Sequence, residues 1–267
     1  MIRIRYLLLP GIVAITLGPL VWLALSAFKH RVDLLDWSPQ FVFTPTLANF
    51  HGAFVEHGFA SNVAHSAIVA FTSSCLALAL AIPAAFALAR RPGRNRLLFL
   101  VLSVRMAPAP ALALPLFLVF RYLGLLDTPL APILAHAAVN TGFAVWMLKG
   151  FFDELPASFG EAAEVDGLSS LATARLATRA ILPGILSVGI FCVLFSWNEF
   201  FLAMVLTGRR AATLPVAILG LVTPAGTSWG EVAAIATITV LPAVLLVLLV
   251  RRLLVRGLTF GGFRGPV

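Results

Sequence analysis

The sequence predicts an all-α polytopic membrane protein with six transmembrane helices, and three observations carry that prediction. Hydrophobic residues make up 60% of the 267 positions and charged residues only 11%, with a mean hydropathy of +1.00; soluble domains carry about 25% charged residues. The apolar residues fall into runs long enough to cross a bilayer core of ~30 Å, which takes about 20 helical residues at 1.5 Å each. The arginines collect in short clusters at the ends of those runs, where orientation signals belong.

The first run, near 6–28, has a basic start like a signal peptide. Its length and the lack of a small-x-small cleavage site make it a retained span. The other five lie near 63–89, 97–123, 130–150, 180–207 and 231–254. Arg3, Arg5, Arg90, Arg91, Arg94, Arg96, Lys149, Arg175, Arg179, Arg251, Arg252, Arg256 and Arg264 then share one side of the membrane. Only Lys29, Arg31, Arg121, Arg209 and Arg210 lie on the other, with Arg105 inside a span. Positive charge marks the cytoplasmic side, so both termini are expected there. A single permease-like domain, 1–267, has an outer loop at 29–62, a cytoplasmic loop at 151–179 and a cytoplasmic tail at 255–267. Cys75 and Cys192 sit within apolar runs and read as small buried hydrophobes.

The net charge of +8 has no basic stripe with interleaved aromatics, so no nucleic acid is expected. The only lysines, Lys29 and Lys149, follow no glycine-rich run, so the phosphate cradle of an ATPase is missing. The five histidines form no H-E-x-x-H or i,i+4 pair, and there is no G-x-S-x-G elbow. The chain reads as no enzyme, with no catalytic, cofactor-binding or metal-ligating residues.

The cytoplasmic loop holds "EAAEVDG", three carboxylates and a glycine in an apolar chain. Pro156 suits the start of a helix, and the acids that follow suit the positive end of its dipole. At 100° per residue Glu161, Glu164 and Val165 share one face, while Ala162, Ala163 and Asp166 share another. Gly167 suits a left-handed C-terminal cap. A second helix over 168–181 completes a helix, a sharp turn and a helix.

Glu161, Ala162, Ala163, Gly167 and the later "ILP" at 181–183 resemble the EAA loop of ABC importer permeases. "FTPTLANF", "SVRMAPAPALALPLF", "FSWNEFF" and "GLTFGGFRG" extend the resemblance along the chain, to the shorter partner permease of the maltose-type carbohydrate importers. His65-Ser66 stands where that family commonly has Asn-Ser, and Leu168 where it has alanine. The resemblance implies the type I ABC importer permease fold in a bacterial-type inner membrane, surrounded by lipid. It implies a second, non-identical permease, two ATPase subunits that bind ATP and magnesium, and an extracytoplasmic binding protein that delivers a carbohydrate. It makes Glu161, Ala162, Ala163, Glu164, Asp166 and Gly167 the ATPase-coupling element and Arg264 a tail contact to the ATPase. An importer of polyols or other sugar-like solutes is the near alternative. An ion-coupled secondary transporter is the distant one, and it would show paired intramembrane acids or matching broken segments.

Within the spans, Glu199 falls in the outer half of the fifth, where a carboxylate must face protein, water or a partner charge. Trp197 and Asn198 beside it offer an aromatic face and an amide; the three either contact sugar or pair subunits and close a gate. Arg105 lies at a different depth from Glu199, so no direct salt bridge between them is expected. Pro108, Pro110 and Pro115 are expected to bend or break the third span. Asn140 and Thr141 either line a cavity or bond across helices.

Overall fold

The computed structural model describes residues 2–90, 93, 95–224 and 226–260. In chain order its helices are α1 (Ile2–Ser26), α2 (Arg31–Leu35), α3 (Ala48–His51), α4 (Phe59–Ala89), α5 (Asn95–Met106), α6 (Ala109–Tyr122) and α7 (Leu130–Asp153). They continue with α8 (Ala157–Val165), α9 (Ser170–Ala180), α10 (Leu182–Trp197), α11 (Phe201–Leu206), α12 (Leu214–Ala217) and α13 (Trp229–Phe260). A π-helical turn over Gly52–Glu56 follows α3, and a small hairpin pairs β1 (Val222–Thr223) with β2 (Gly226–Thr227). Arg264 lies outside the described residues, as do Arg91 and Arg94.

Three helices among the described residues are long and apolar enough to cross a membrane: α4, α7 and the 229–249 part of α13. Two bent pairs, α5–α6 and α9–α10, bring the number to five if each is one span, and α1 contributes a shorter apolar helix over 10–26. The third apolar run is broken by 88° between α5 and α6. Pro108 disfavours helical backbone at Ala107 and brings no N–H of its own; it takes the extended conformation and caps α6.

The fifth run departs from the expected continuous span. The 74° bend between α9 and α10 falls at its start, where the second loop helix was expected to give way to the span, but α10 ends at Trp197, before α11 begins at Phe201. A carboxylate causes the second break: Glu199 takes the free N–H groups of Leu202 (2.9 Å) and Ala203 (3.0 Å) at the start of α11. The span's acid therefore terminates one helix and opens the next.

The chain divides into two compact units, residues 1–64 with 213–244 and residues 65–212 with 245–267. In the first, Asn49 donates its amide to the carbonyls of Ala27 (2.9 Å) and Lys29 (2.8 Å). Thr46 donates its N–H to Phe28 (2.8 Å) and accepts that of Ala48. The polar residues of "FTPTLANF" thus tie the loop to the end of α1. Asn49 also lies against Gly230, where a Cβ would collide with its amide. Lys29 is buried, its ammonium 3.9 Å from the Trp22 ring centroid, a cation–π contact.

In the second unit α7 is the central helix, packed against α5 and α10, with Ala144, Val145 and Leu148 fully buried. A Cβ at Gly142 would collide with the Val101 carbonyl oxygen, so glycine lets α5 approach closely. Cys192 is buried as expected, but Cys75 is exposed on α4. It stands one helical turn after Phe71, which is itself exposed, so both residues lie on the outward face of that helix.

Candidate functional site: a helix–turn–helix and a buried relay

The first site is the helix–turn–helix over 157–180. Gly167 has φ +68°, the left-handed conformation that glycine enters without a Cβ clash. The Leu168 N–H reaches back to the Ala163 carbonyl at 2.9 Å, a Schellman closure. Ser169 then caps α9 by accepting the Ala172 N–H. Phe159 and Ala177 join the core built by α4, α7 and α10, which anchors both helices.

Two expectations about this segment need correcting. Helix α8 starts only at Ala157 and has no acid in its first turn, so Glu161 and Glu164 lie beyond the strong part of the dipole. The small face is also split, because Ala163 is buried while Ala162 is exposed. Burial follows the core, and the outward face combines Glu161, Asp166 and Gly167 with Val165, Leu168 and Leu171, of which Val165 is 88% exposed.

The second site was not legible as a unit. Glu199 faces His136 of α7, Oε2 to Nε2 at 3.2 Å, and the imidazole Nδ1 lies 2.7 Å from the Ser196 hydroxyl. Ser73 of α4 donates to Ser196 at 3.0 Å. A polar chain therefore crosses three packed helices, Ser73 to Ser196 to His136 to Glu199, with His136, Ser73 and Ser196 all buried. One turn further along α7, the Asn140 amide donates to the Cys192 carbonyl at 3.3 Å, so Asn140 bonds across helices. Thr141 bonds to Ala137 within its own helix.

Trp197 is buried and Asn198 is exposed, its amide turned back to Leu194. Arg105 stands at the end of α5 with its guanidinium 4.2 Å from the Phe195 centroid; Phe195 packs edge-on against Phe143 at 5.0 Å. No ion pair joins Arg105 to Glu199 among the described residues. His136 is the residue the sequence reading passed over. Its signal was an ionisable side chain inside an apolar run, i,i+4 from Asn140.

A third constellation clamps two loops. Asp127 has φ 55° and accepts the N–H groups of Gly208 (2.7 Å), Ala211 (3.1 Å) and Arg210 (3.2 Å). Burial pushes its carboxyl up, but these hydrogen bonds outweigh it and hold the group below the ordinary aspartate value.

The family described as "Binding-protein-dependent transport system inner membrane component" matches residues 77–260. A probable ABC transporter permease of Sinorhizobium fredii is 36% identical over 93% of this chain and 90% of its own length. The trehalose transport system permease of Mycobacterium tuberculosis is 32% identical over 95% and 94%. The chain of a bacterial ABC transporter that imports the acidic polysaccharide alginate superposes with a TM-score of 0.77 at 20% identity, covering 94% of this chain and 95% of that one. That likeness shows a shared fold of the ABC importer permease type. The chain belongs to the family of binding-protein-dependent transport system inner membrane components, the non-catalytic membrane subunits of ABC transporters.

Proposed function

We propose that this chain is one of two non-identical permeases of an ATP-driven carbohydrate importer, and that α8 with its Gly167 turn is the element that couples it to the ATPase. Several relatives carry sugar names, among them the trehalose permease above and a diacetylchitobiose uptake permease of Streptomyces coelicolor, 27% identical over 92% of this chain. These support a polyhydroxylated solute delivered by an extracytoplasmic binding protein. Two ATPase subunits bind ATP and magnesium, and both termini of this chain face the cytoplasm.

The observation that carries the coupling role is the exposed face of α8. Its turn is fixed by a left-handed glycine and a Schellman bond, its inner side is locked into the core, and its outer side presents Val165 and Leu168 among charges. A rigid lever with an uncovered mixed surface suits transmission of motion from a cytoplasmic partner. In alternating access, closure of the ATPase pair moves this lever and the attached spans reopen outward.

The test is Gly167→Val. A β-branched residue in the left-handed region costs about 1–2 kcal/mol locally and redirects α9, so uptake in proteoliposomes should fall relative to ATP hydrolysis, or ATPase binding should loosen. Glu161→Lys should do likewise by reversing charge on the exposed face. Gly160→Ala is the control, since nothing lies within 4 Å of a Cβ there and alanine favours helix. Normal coupling in both Gly167→Val and Glu161→Lys would refute the assignment.

A further inference from the structure

A groove of about 370 Å³ runs between the end of α4 and the outer side of α9. Ile82, Pro83, Phe86 and Leu171 give it an apolar floor, and the exposed Arg175 and Arg179 stand over it. The two arginines are i,i+4 neighbours on one face of α9, an arrangement that is self-repelling in an isolated helix. Neither pairs with a carboxylate among the described residues. An anion held between them converts that repulsion into two attractions.

The groove also sits at a defined level. Phe86 lies about 5 Å, and Ile82 about 10 Å, from the Ala89 end of α4 at 1.5 Å per residue, the end at which the apolar run gives way to Arg90. Helix α9 turns 74° away from α10, so an α10 standing along the bilayer normal would hold α9 close to the membrane plane. Leu171 lines the same groove as the α4 residues, and Arg175 and Arg179 line it beside them.

We infer that this groove binds an anionic phospholipid, with an acyl chain along Ile82, Pro83, Phe86 and Leu171 and the phosphodiester between Arg175 and Arg179. Planar guanidiniums match phosphate oxygens in bidentate fashion, and a zwitterionic lipid would bring a quaternary ammonium that competes with them for the same phosphate. The inference rests on the chain's embedding in a membrane and stands whichever solute is carried.

The test uses the full chain with its partner subunits in mild detergent, titrated with dioleoyl phosphatidylglycerol or dioleoyl phosphatidylcholine, with retained lipid counted by native mass spectrometry. Phosphatidylglycerol should be retained in preference. The R175Q/R179Q variant should weaken its binding about fivefold for each arginine removed and leave phosphatidylcholine unchanged. R175K/R179K keeps the charge and should keep most of the preference; Ala174→Trp fills the groove and should lower retention of both lipids. Arg209→Gln, far away in the chain on the loop clamped by Asp127, should change nothing. Equal phosphatidylglycerol retention by wild type and R175Q/R179Q overturns the inference, as does exclusion of all lipid by another subunit seated in the groove.

Discussion

Glu199 holds three donors at once, the Leu202 and Ala203 N–H groups and the His136 ring. Glutamine offers only one oxygen, so Glu199→Gln must release part of the α11 start or the imidazole. Hydrogen bonds to a charged group are worth roughly 1.5–3 kcal/mol. The expected outcome is lower uptake with the subunit complex still assembled, checked by transport assay beside size-exclusion chromatography. His136→Ala should produce much of the same loss, and the double variant should lose less than the sum, because both act through one contact. Additive losses would mean that the two residues work separately. Asp127 permits a pH test. Its carboxyl is held below the ordinary value by hydrogen bonds, so the clamp's stability is complete above about pH 4 and is lost as pH falls through the lowered folded value. Asp127→Asn should cost about 1 kcal/mol at neutral pH, and the difference in melting temperature from wild type should close below that range.

At the scale of elements, the same sequence was unevenly readable. The break before α6 was visible because proline acts on its own backbone: Pro108 alone removes a donor and bars helix at the residue before it. The Gly167 turn was visible for the same local reason. The break at 198–200 was not, since nothing in "SWNEFF" announces a helix stop; it depends on a carboxylate folding forward onto α11 and being held there by a histidine 63 positions earlier. The dipole argument for the acids of α8 failed although the helix begins beside Pro156 as read, because Glu161 is already its fifth residue and lies past the first turn. "FTPTLANF" was recognised as a motif without its physics, which is Asn49 bridging two carbonyls across 20 and 22 residues. Asn49→Ala should leave those carbonyls unpaired and cost about 1–3 kcal/mol, seen as earlier thermal unfolding and faster proteolysis of the 29–58 loop. Unchanged proteolysis would mean that Thr46 suffices to hold the loop.

For the whole molecule, the long apolar helices were the most legible feature, because a bilayer demands length and apolarity that no tertiary context can hide. Large hydrophobic side chains such as Ile15, Phe99, Leu100, Leu114 and Leu245 are exposed on several helices, a surface that only lipid or partner subunits can cover. The orientation proposed from the arginines is testable by membrane-impermeant thiol labelling in a background lacking Cys75. Cysteines introduced at Gly93 and Ser170, both exposed, should react only from the cytoplasm, and one at Pro45 only from outside. Reversed labelling would overturn the positive-inside reading.

The Ser73–Ser196–His136–Glu199 chain also has a polarity. With Glu199 accepting on both oxygens, His136 must present a hydrogen from Nε2. In a neutral ring Nδ1 is then bare and takes the Ser196 hydroxyl hydrogen, which leaves the Ser196 oxygen to accept from Ser73. All three hydrogens point the same way, toward Glu199. Hydrogens on three different helices thereby share one sense, so that a movement of any one of those helices breaks a directed chain that ends on the carboxylate opening α11.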